Sequence, residues 1–411
     1  MKRVKIGLLG LGTVGNAVFQ EICSHGEWLE GRSGIRLEVA RILVRNPSKV
    51  RDKAAEPLLT LDPDAVIRDP GIQVIVEVMG GYRPALDYVV EALQRGKQVV
   101  TANKELLSNA WGDLLRAAET GGGGIFYEAS VAGAIPIIGP MRSTLVANRV
   151  GRIAGILNGT TNFILTQMTR QRMDFPEALA EAQRLGYAEA DPSADVDGLD
   201  AARKVAILTT LAAGGPVYQS QVLTRGIRQV RAADVQFARE RGFSLKLVAG
   251  ALVVHESKPK VRAWVEPALL PEGHPLASVD NALNAVWLAG EPCGELFFRG
   301  QGAGGAPTSS SVMGDIVAAA RASVGDLRPD AVCGSAEVIV EQEDEICTWY
   351  VRGPGLGEKR FRELAADCGV EPEGVEVKAG HAFCLTFPCP RSKVWELACR
   401  VNGFFARLEG Q

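Results

Sequence analysis

Val4-Lys5-Ile6-Gly7-Leu8-Leu9-Gly10-Leu11-Gly12-Thr13-Val14-Gly15 is the stretch that decides the fold. Its first six residues form a mostly apolar run of the length of a buried parallel strand. Gly10, Gly12 and Gly15 follow in a G-x-G-x-x-G spacing, and Asn16 to Ile22 then has a helical pattern. A lone glycine triplet is a weak signal, and the bland reading is a tight structural turn. Between a strand and a helix it carries more, because glycines let a pyrophosphate approach the helix N-terminus, with Thr13 and Val14 lining the turn.

The next elements extend the same pattern. A second strand, Leu37 to Val44, runs into Arg45-Asn46-Pro47-Ser48-Lys49-Val50-Arg51. An NAD-selective fold usually has Asp or Glu at that strand end to hold the ribose hydroxyls. Here the first charged residue is Arg45, which suits a 2′-phosphate, so NADP is favoured with NAD left open; a solvated basic loop is the alternative. Val74 to Val78 is another buried strand, ending at Met79-Gly80-Gly81. A helix, Pro84 to Arg95, and the strand Gln98-Val99-Val100-Thr101-Ala102-Asn103-Lys104 come next. The alternation predicts an α/β fold with a Rossmann-type doubly wound parallel sheet. Lys104 stands at a strand end, where such sheets place ligands.

Composition narrows the class. At 411 residues the chain has room for two or three domains, and its 46% apolar and 23% charged residues are ordinary for a globular protein. A net charge of −3 without a basic cluster argues against nucleic acid as partner. No apolar run reaches the ~18 residues of a membrane span. Met1-Lys2-Arg3 ahead of an apolar stretch imitates a signal peptide, but its glycine-rich middle favours a buried strand and turn. Eight cysteines, six of them after residue 330, form no Cys-x-x-Cys pair, and with four histidines they make no zinc framework. Free thiols in a reducing cytoplasm are expected.

The chemistry is concentrated in Gly186-Tyr187-Ala188-Glu189-Ala190-Asp191-Pro192-Ser193-Ala194-Asp195-Val196-Asp197-Gly198-Leu199-Asp200-Ala201-Ala202-Arg203-Lys204, with five carboxylates between Glu189 and Asp200. Pro192 and Gly198 predict a loop from Glu189 to Asp195, and Asp197 reads as the N-cap of a helix. On that helix Asp200 and Lys204 share a face. Such a pair is often a surface ion pair worth ~0.2–0.5 kcal/mol. A lysine fixed by a carboxylate beside an acidic loop could also bind an ammonium-bearing substrate and move a proton.

This run, from Ala182 through Gly186, Asp191-Pro192, Asp195, Gly198 and Asp200 to Lys204, resembles the signature of homoserine dehydrogenases. The likeness extends from Val4 to Arg321. It implies reversible, NAD(P)-dependent interconversion of L-homoserine and L-aspartate 4-semialdehyde, in threonine and methionine biosynthesis. It also implies Lys204 as proton donor, Asp200 as its orienting partner, and Lys104 beside the nicotinamide and substrate. Substrate would be held by Thr160, Tyr187, Glu189, Asp195, Asp200 and Lys204, and the cofactor by the glycine loop, Arg45, Gly80, Lys104, Gly186 and Glu189. Thr160 lies in Asn158-Gly159-Thr160-Thr161-Asn162, a polar turn that could instead simply cap a helix from Phe163 to Met168. A monovalent cation such as sodium is implied on the Glu128 side chain and the carbonyls of Val131, Gly133 and Ile135, as is a dimer or larger homo-oligomer.

The remaining organisation is an expectation of the same kind. Residues 1–135, with a return at about 302–328, form the cofactor domain; Gly302 and Gly304 belong to a second glycine-rich loop closing over the cofactor, ahead of a helix from Ser309 to Arg321. Residues 136–301 form a catalytic and dimerisation domain with a mostly antiparallel sheet. Residues 335–411 form a small α+β unit that resembles an ACT domain, although its ligand loop is reduced to Gly353-Pro354-Gly355-Leu356. All proposed site residues precede this unit, so it is expected to be dispensable for chemistry. A semialdehyde dehydrogenase of another type would need a cysteine nucleophile, and none lies between Cys23 and Cys293. A non-catalytic NAD(P)-binding regulator would not need Asp200 and Lys204 together.

Overall fold

The computed structural model describes residues 2–49, 52–325, 336–341 and 344–409. Val50 and Arg51 of the basic loop, and the boundaries expected at 328 and 335, lie outside the described residues. The chain opens with β1 (Lys2–Leu9), α1 (Thr13–Ser33), β2 (Ile35–Leu43), β3 (Leu59–Thr60), α2 (Asp64–Ile67), β4 (Val74–Glu77), α3 (Ala85–Gln94), β5 (Gln98–Thr101), α4 (Lys104–Gly121) and β6 (Ile125–Phe126). The six strands pair in parallel in the order β3-β2-β1-β4-β5-β6. Their side chains alternate between two apolar layers: Leu9, Ile75 and Val99 face α3 and α4, whereas Leu8, Val74, Val76 and Val100 face α1. Both faces are covered around β4 and the second half of β1, which are buried throughout, whereas β2 alternates buried and exposed residues over much of its length. The expected first helix was too short: α1 runs on to Ser33, because Gly26 and Gly31 sit in open space and only Gly34, in the left-handed conformation, stops it.

The middle of the chain contains α5 (Ile138–Arg142), β7 (Arg149–Ile156), α6 (Gly159–Gln171), α7 (Phe175–Arg184), α8 (Ser193–Val196), α9 (Leu199–Ala213), β8 (Leu223–Thr224), α10 (Ala232–Glu240), β9 (Phe243–Val254), β10 (Lys260–Pro271), β11 (Leu283–Glu291) and β12 (Gly294–Gln301). Four antiparallel pairings join β12, β11, β7, β9 and β10 into a second sheet, against which α6 and α9 pack. α11 (Gly305–Ser323) then returns to the first sheet, where Val312, Met313, Ile316, Ala319 and Ala320 enter the layer already lined by α1.

The tail contains β13 (Ile339–Val340), β14 (Ile346–Cys347), β15 (Trp349–Pro354), α12 (Glu358–Asp367), β16 (Glu376–Lys378), β17 (His381–Leu385), β18 (Cys389–Pro390), α13 (Arg391–Arg400) and β19 (Phe404–Leu408). Its strands lie in the order β19-β15-β17-β16, with a turn at Gly380 between β16 and β17. β19 also pairs in parallel with β10, so the tail and the middle of the chain share one eleven-stranded sheet. The tail is therefore built into its neighbour. Cys384 and Cys389 are both free thiols.

Candidate active site

The order of the first sheet reverses between β1 and β4, and the crevice beyond these strand ends is where such sheets bind ligands. Gly10 takes φ +105°, which favours glycine, and at Gly15 a Cβ would collide with the Gly10 carbonyl. Gly12 caps α1 and faces open space. Thr13 and Val14 begin the helix. Gly80, also at positive φ, opens the turn after β4, and Gly305, just past Gly304, lies against Thr13, so the returning loop reaches the glycine turn. Arg45 is exposed beyond β2.

A fully buried carboxylate organises this edge. Glu77, the last residue of β4, accepts from the Thr101 hydroxyl (2.6 Å) and the backbone N–H groups of Met79 (2.9 Å) and Gly80 (3.3 Å). Burial pushes its pKa up, against the pull of these hydrogen bonds. Asn103 caps α4 and donates to the Gly81 carbonyl at 2.7 Å. The cofactor-side turn and the turn presenting Lys104 are thus tied together.

Lys104, on the first turn of α4, meets two residues of α9. Its Nζ is 2.7 Å from Asp200 Oδ1, while Lys204 Nζ is 2.7 Å from Asp200 Oδ2 and donates to the Leu157 carbonyl at 2.7 Å. Asp200 and Lys204 are buried, so this is no surface ion pair. Burial alone would raise the Asp200 carboxyl, but the two ammonium groups outweigh it and hold it well below the usual range. Burial lowers Lys204, Asp200 opposes this, and repulsion from Lys104 adds to it. Lys104 is raised, chiefly by Asp200. For Lys204 burial is thus a larger cause than its neighbour Lys104.

Three local expectations are corrected. The acidic loop is not wholly irregular, since α8 lies within it. Asp197 is not an N-cap: Gly198, at φ +86°, starts α9, and Asp197 pairs with Arg228 instead. The polar turn at Thr160 is already helix, because Asn158 caps α6 by accepting from the Thr161 N–H at 2.8 Å.

Asn158 is the residue that sequence reasoning passed over. Its amide donates to Asp195 at 2.7 Å and to Asp200 at 2.9 Å, joining the acidic loop to the lysines. Burial and the neighbouring Asp200 charge raise Asp195. Thr160 hydrogen bonds to Asp195 and donates to the Tyr187 carbonyl at 2.7 Å, and the Tyr187 ring leans on Phe163. Gly186 and Glu189 are exposed on the same loop. The cluster thus gathers Lys104, Lys204, Asp200, Asp195 and Thr160, with Asn158 at its centre.

The expected cation donors lie on the segment after β6. Glu128 accepts three backbone N–H bonds, from Ile137 (2.6 Å), Ile138 (2.8 Å) and Gly139 (2.6 Å). Gly133 packs against Gly302, and its carbonyl accepts from Ser311 at 2.7 Å. A carboxylate with backbone carbonyls at Val131, Gly133 and Ile135 is an all-oxygen set that fits a hard cation, each oxygen having more than one lone-pair direction. Asp315 on α11 accepts the Glu128 N–H at 2.7 Å, and its carboxyl is pushed up to about 8 by burial and the Glu128 charge. Nothing in the sequence marked it.

Comparison with known proteins identifies the family. Residues 10–128 match the family model described as "Homoserine dehydrogenase, NAD binding domain", and residues 136–317 match the model "Homoserine dehydrogenase". The homoserine dehydrogenase of Corynebacterium glutamicum is 44% identical over 349 residues, covering 84% of this chain and 78% of the relative. That of Bacillus subtilis is 43% identical, covering 77% and 73%. The crystal structure of a homoserine dehydrogenase from Thiobacillus denitrificans superposes with a TM-score of 0.89 at 35% identity, covering 100% of this chain and 99% of that one. A hyperthermophilic archaeal homoserine dehydrogenase in complex with NADPH gives 0.65 at 29% identity, covering 80% and 99%. The chain belongs to the homoserine dehydrogenase family of NAD(P)-dependent oxidoreductases, which interconvert L-homoserine and L-aspartate 4-semialdehyde.

Proposed function

We propose that Lys204 exchanges the proton at the substrate oxygen, and that the observation carrying this role is the single buried carboxylate, Asp200, shared by two lysines. Bound NAD(P) supplies or accepts the hydride. During reduction the oxygen gains charge, and the Lys204 ammonium, weakened as an ammonium by burial, donates its proton there. During oxidation its neutral amine takes the hydroxyl proton. Lys104, held charged by Asp200, supplies a fixed positive charge beside the same oxygen. Asp200 keeps both nitrogens in place. Asp195, poised by Asn158 and Thr160, receives the substrate ammonium, whose arrival favours its ionised form. Tyr187 and Glu189 complete the rim of the substrate site.

The glycine turn, Gly80, Gly186, Glu189 and the Gly302–Gly304 loop form the cofactor cleft, with NADP preferred through Arg45. The absence of an acidic residue at the end of β2 supports that preference, as does the NADPH complex of the archaeal neighbour. A sodium-like cation on Glu128, Val131, Gly133 and Ile135 would brace the segment that packs against Gly302. The tail's βαββαβ order supports an ACT-like unit from about residue 335 to 411. A homo-oligomer is supported by β12, an edge strand with Phe297 exposed, which a second copy would cover. Among the described residues no helix is long and apolar enough to cross a membrane, and seven free thiols fit a reducing cytoplasm. The proton role is tested by the pH dependence of kcat in both directions, before and after Lys204→Met. A profile unchanged by the substitution would remove Lys204 from the reaction.

A further inference from the structure

The segment between β8 and α10 is gripped from two sides. On one side it carries the acidic loop. The Ile227 N–H donates to the Val196 carbonyl at 2.8 Å, and a Cβ on Gly226 would collide with that carbonyl and with the Asp197 backbone. Arg228 forks onto Asp197 and donates to the Ser193 hydroxyl at 2.9 Å. These contacts bracket Asp195 at 193, 196 and 197. Gly198, at positive φ, rests on Thr224 of β8 and Val265 of β10, so the start of α9 has a footing outside this segment.

On the other side the segment is held by the tail. The Arg225 guanidinium lies 3.5 Å from the centre of the Phe405 ring, beside Glu266, which Arg391 of α13 also engages. Arg352 of β15 is a two-armed clasp: Nε donates to Asp234 at 2.7 Å and Nη2 donates to the Gln229 carbonyl at 3.0 Å. The Tyr350 hydroxyl donates to the same Asp234 oxygen at 2.6 Å, and Asp234 in turn accepts the Arg231 N–H. Ile227 and Val230, between the two sets of contacts, are fully buried.

We propose that the tail is a buttress for the substrate loop: Arg352, through residues 225–234, and Arg228, at their contact with the loop, are positioning residues that hold Asp195 in register with the lysines. The inference rests on the reading of Asp195 as the substrate-ammonium ligand. It assigns the tail a part in substrate affinity with no regulatory ligand involved. Loosening the buttress therefore acts on substrate KM. It leaves kcat at saturation and the NADP KM near their parent values, because Lys204 and the glycine turn are held by other contacts.

The full-length enzyme decides this with three variants assayed on L-homoserine and NADP. Arg228→Gln, an exposed position that should not perturb folding, is expected to raise the homoserine KM about tenfold, the equivalent of one lost charge-assisted bond. Arg352→Lys keeps a charge for Asp234 but cannot also reach Gln229, and is expected to raise it about threefold. The two effects should combine to less than their product, since they act through one segment. Asp195→Asn is the reference. If it raises the homoserine KM while Arg228→Gln stays within about twofold of the parent, the buttress is refuted and the substrate reading stands. An unchanged KM in Asp195→Asn refutes both. A parallel rise in NADP KM in Arg228→Gln also overturns the proposal, because general loosening would then explain it.

Discussion

The two sheets of this molecule handle charge in opposite ways. Among the described residues, the charged groups buried around the parallel sheet are Glu77 and Lys97, both at strand ends, and the Asp315 carboxyl on α11, whereas around the larger sheet Asp200, Lys204, Asp234, Lys246, Glu266, Arg352, Arg407 and Glu409 are buried. The first sheet is held by apolar layers and keeps polar groups for the cleft at its edge. In the second, charges tie segments far apart in sequence: Arg352 to Asp234, Arg391 to Glu266, Arg152 to Glu409. Replacing such pairs by apolar groups can be neutral, but removing one partner strands a charge. The difference teaches that the cofactor half tolerates local change, whereas the catalytic half and tail stand or fall together.

The largest effect is expected where the two regions meet. Lys204→Met should lower kcat by ~10²–10⁴ with little change in KM, read from the absorbance of reduced cofactor. The pH dependence carries a sign. With its pKa lowered by burial, the Lys204 donor is lost, and reductive kcat falls, as pH rises through that value, whereas oxidative kcat rises over the same interval. Lys49→Met, on the exposed basic loop, should leave kcat intact. If both lysines behaved alike, the chemistry would not lie at the junction.

Breaking the tail's clasp comes next. Arg352→Met leaves Asp234 buried without its ion-pair partner and should cost about 3–5 kcal/mol, measured by urea unfolding. Ending the chain after Arg328 should do more, because β10 would lose β19 and Glu266 would lose Arg391. The position of the site residues suggests a tail dispensable for chemistry; these contacts lead instead to the expectation that its removal costs stability. A truncated chain with parental stability would overturn the contrast between the two sheets.

Glu77→Gln is the matching change in the first sheet. It weakens hydrogen bonds to a charged acceptor at one strand end, and about 1–3 kcal/mol is expected, with a rise in NADP KM as the Gly80 turn loosens. A loss as large as that of Arg352→Met would erase the distinction. The smallest effect is Arg45→Asp, for which NADP KM should rise about tenfold while that for NAD changes little. An unchanged NADP KM would place the 2′-phosphate elsewhere.

Legibility in the sequence followed the same divide. Strands β1, β4 and β5 announce themselves through short apolar stretches, Ile6 to Leu9, Val74 to Val76 and Val99-Val100, and Gly10 and Gly15 state a backbone requirement that depends only on neighbours. Asp200 and Lys204 were legible because one helical turn joins them. Asn158 was not: its importance comes from lying opposite Asp195 and Asp200, about forty residues on, and locally it is only a helix cap. Arg352 and Asp234 are 118 positions apart, and no local pattern signals that pairing. Glu77, a charge closing an apolar strand, was visible but read as part of the strand.

The late return of α11 has a consequence for synthesis. Ribosomes deliver the chain from its N-terminus, and domains generally fold as they emerge. Here the apolar layer of β1, β4 and β5 that faces α11 waits for Val312, Ile316 and Ala320, which appear only after the whole of the second sheet's β7 to β12 has been made. Val4, Ile6, Leu8, Val74, Val76 and Val100 are therefore left partly uncovered on the nascent chain while residues 127–304 are added between β6 and the helix that covers them. The dinucleotide fold, although first in the sequence, is finished only once β7 to β12 have been made, and through that interval its apolar layer is open to solvent and to other chains.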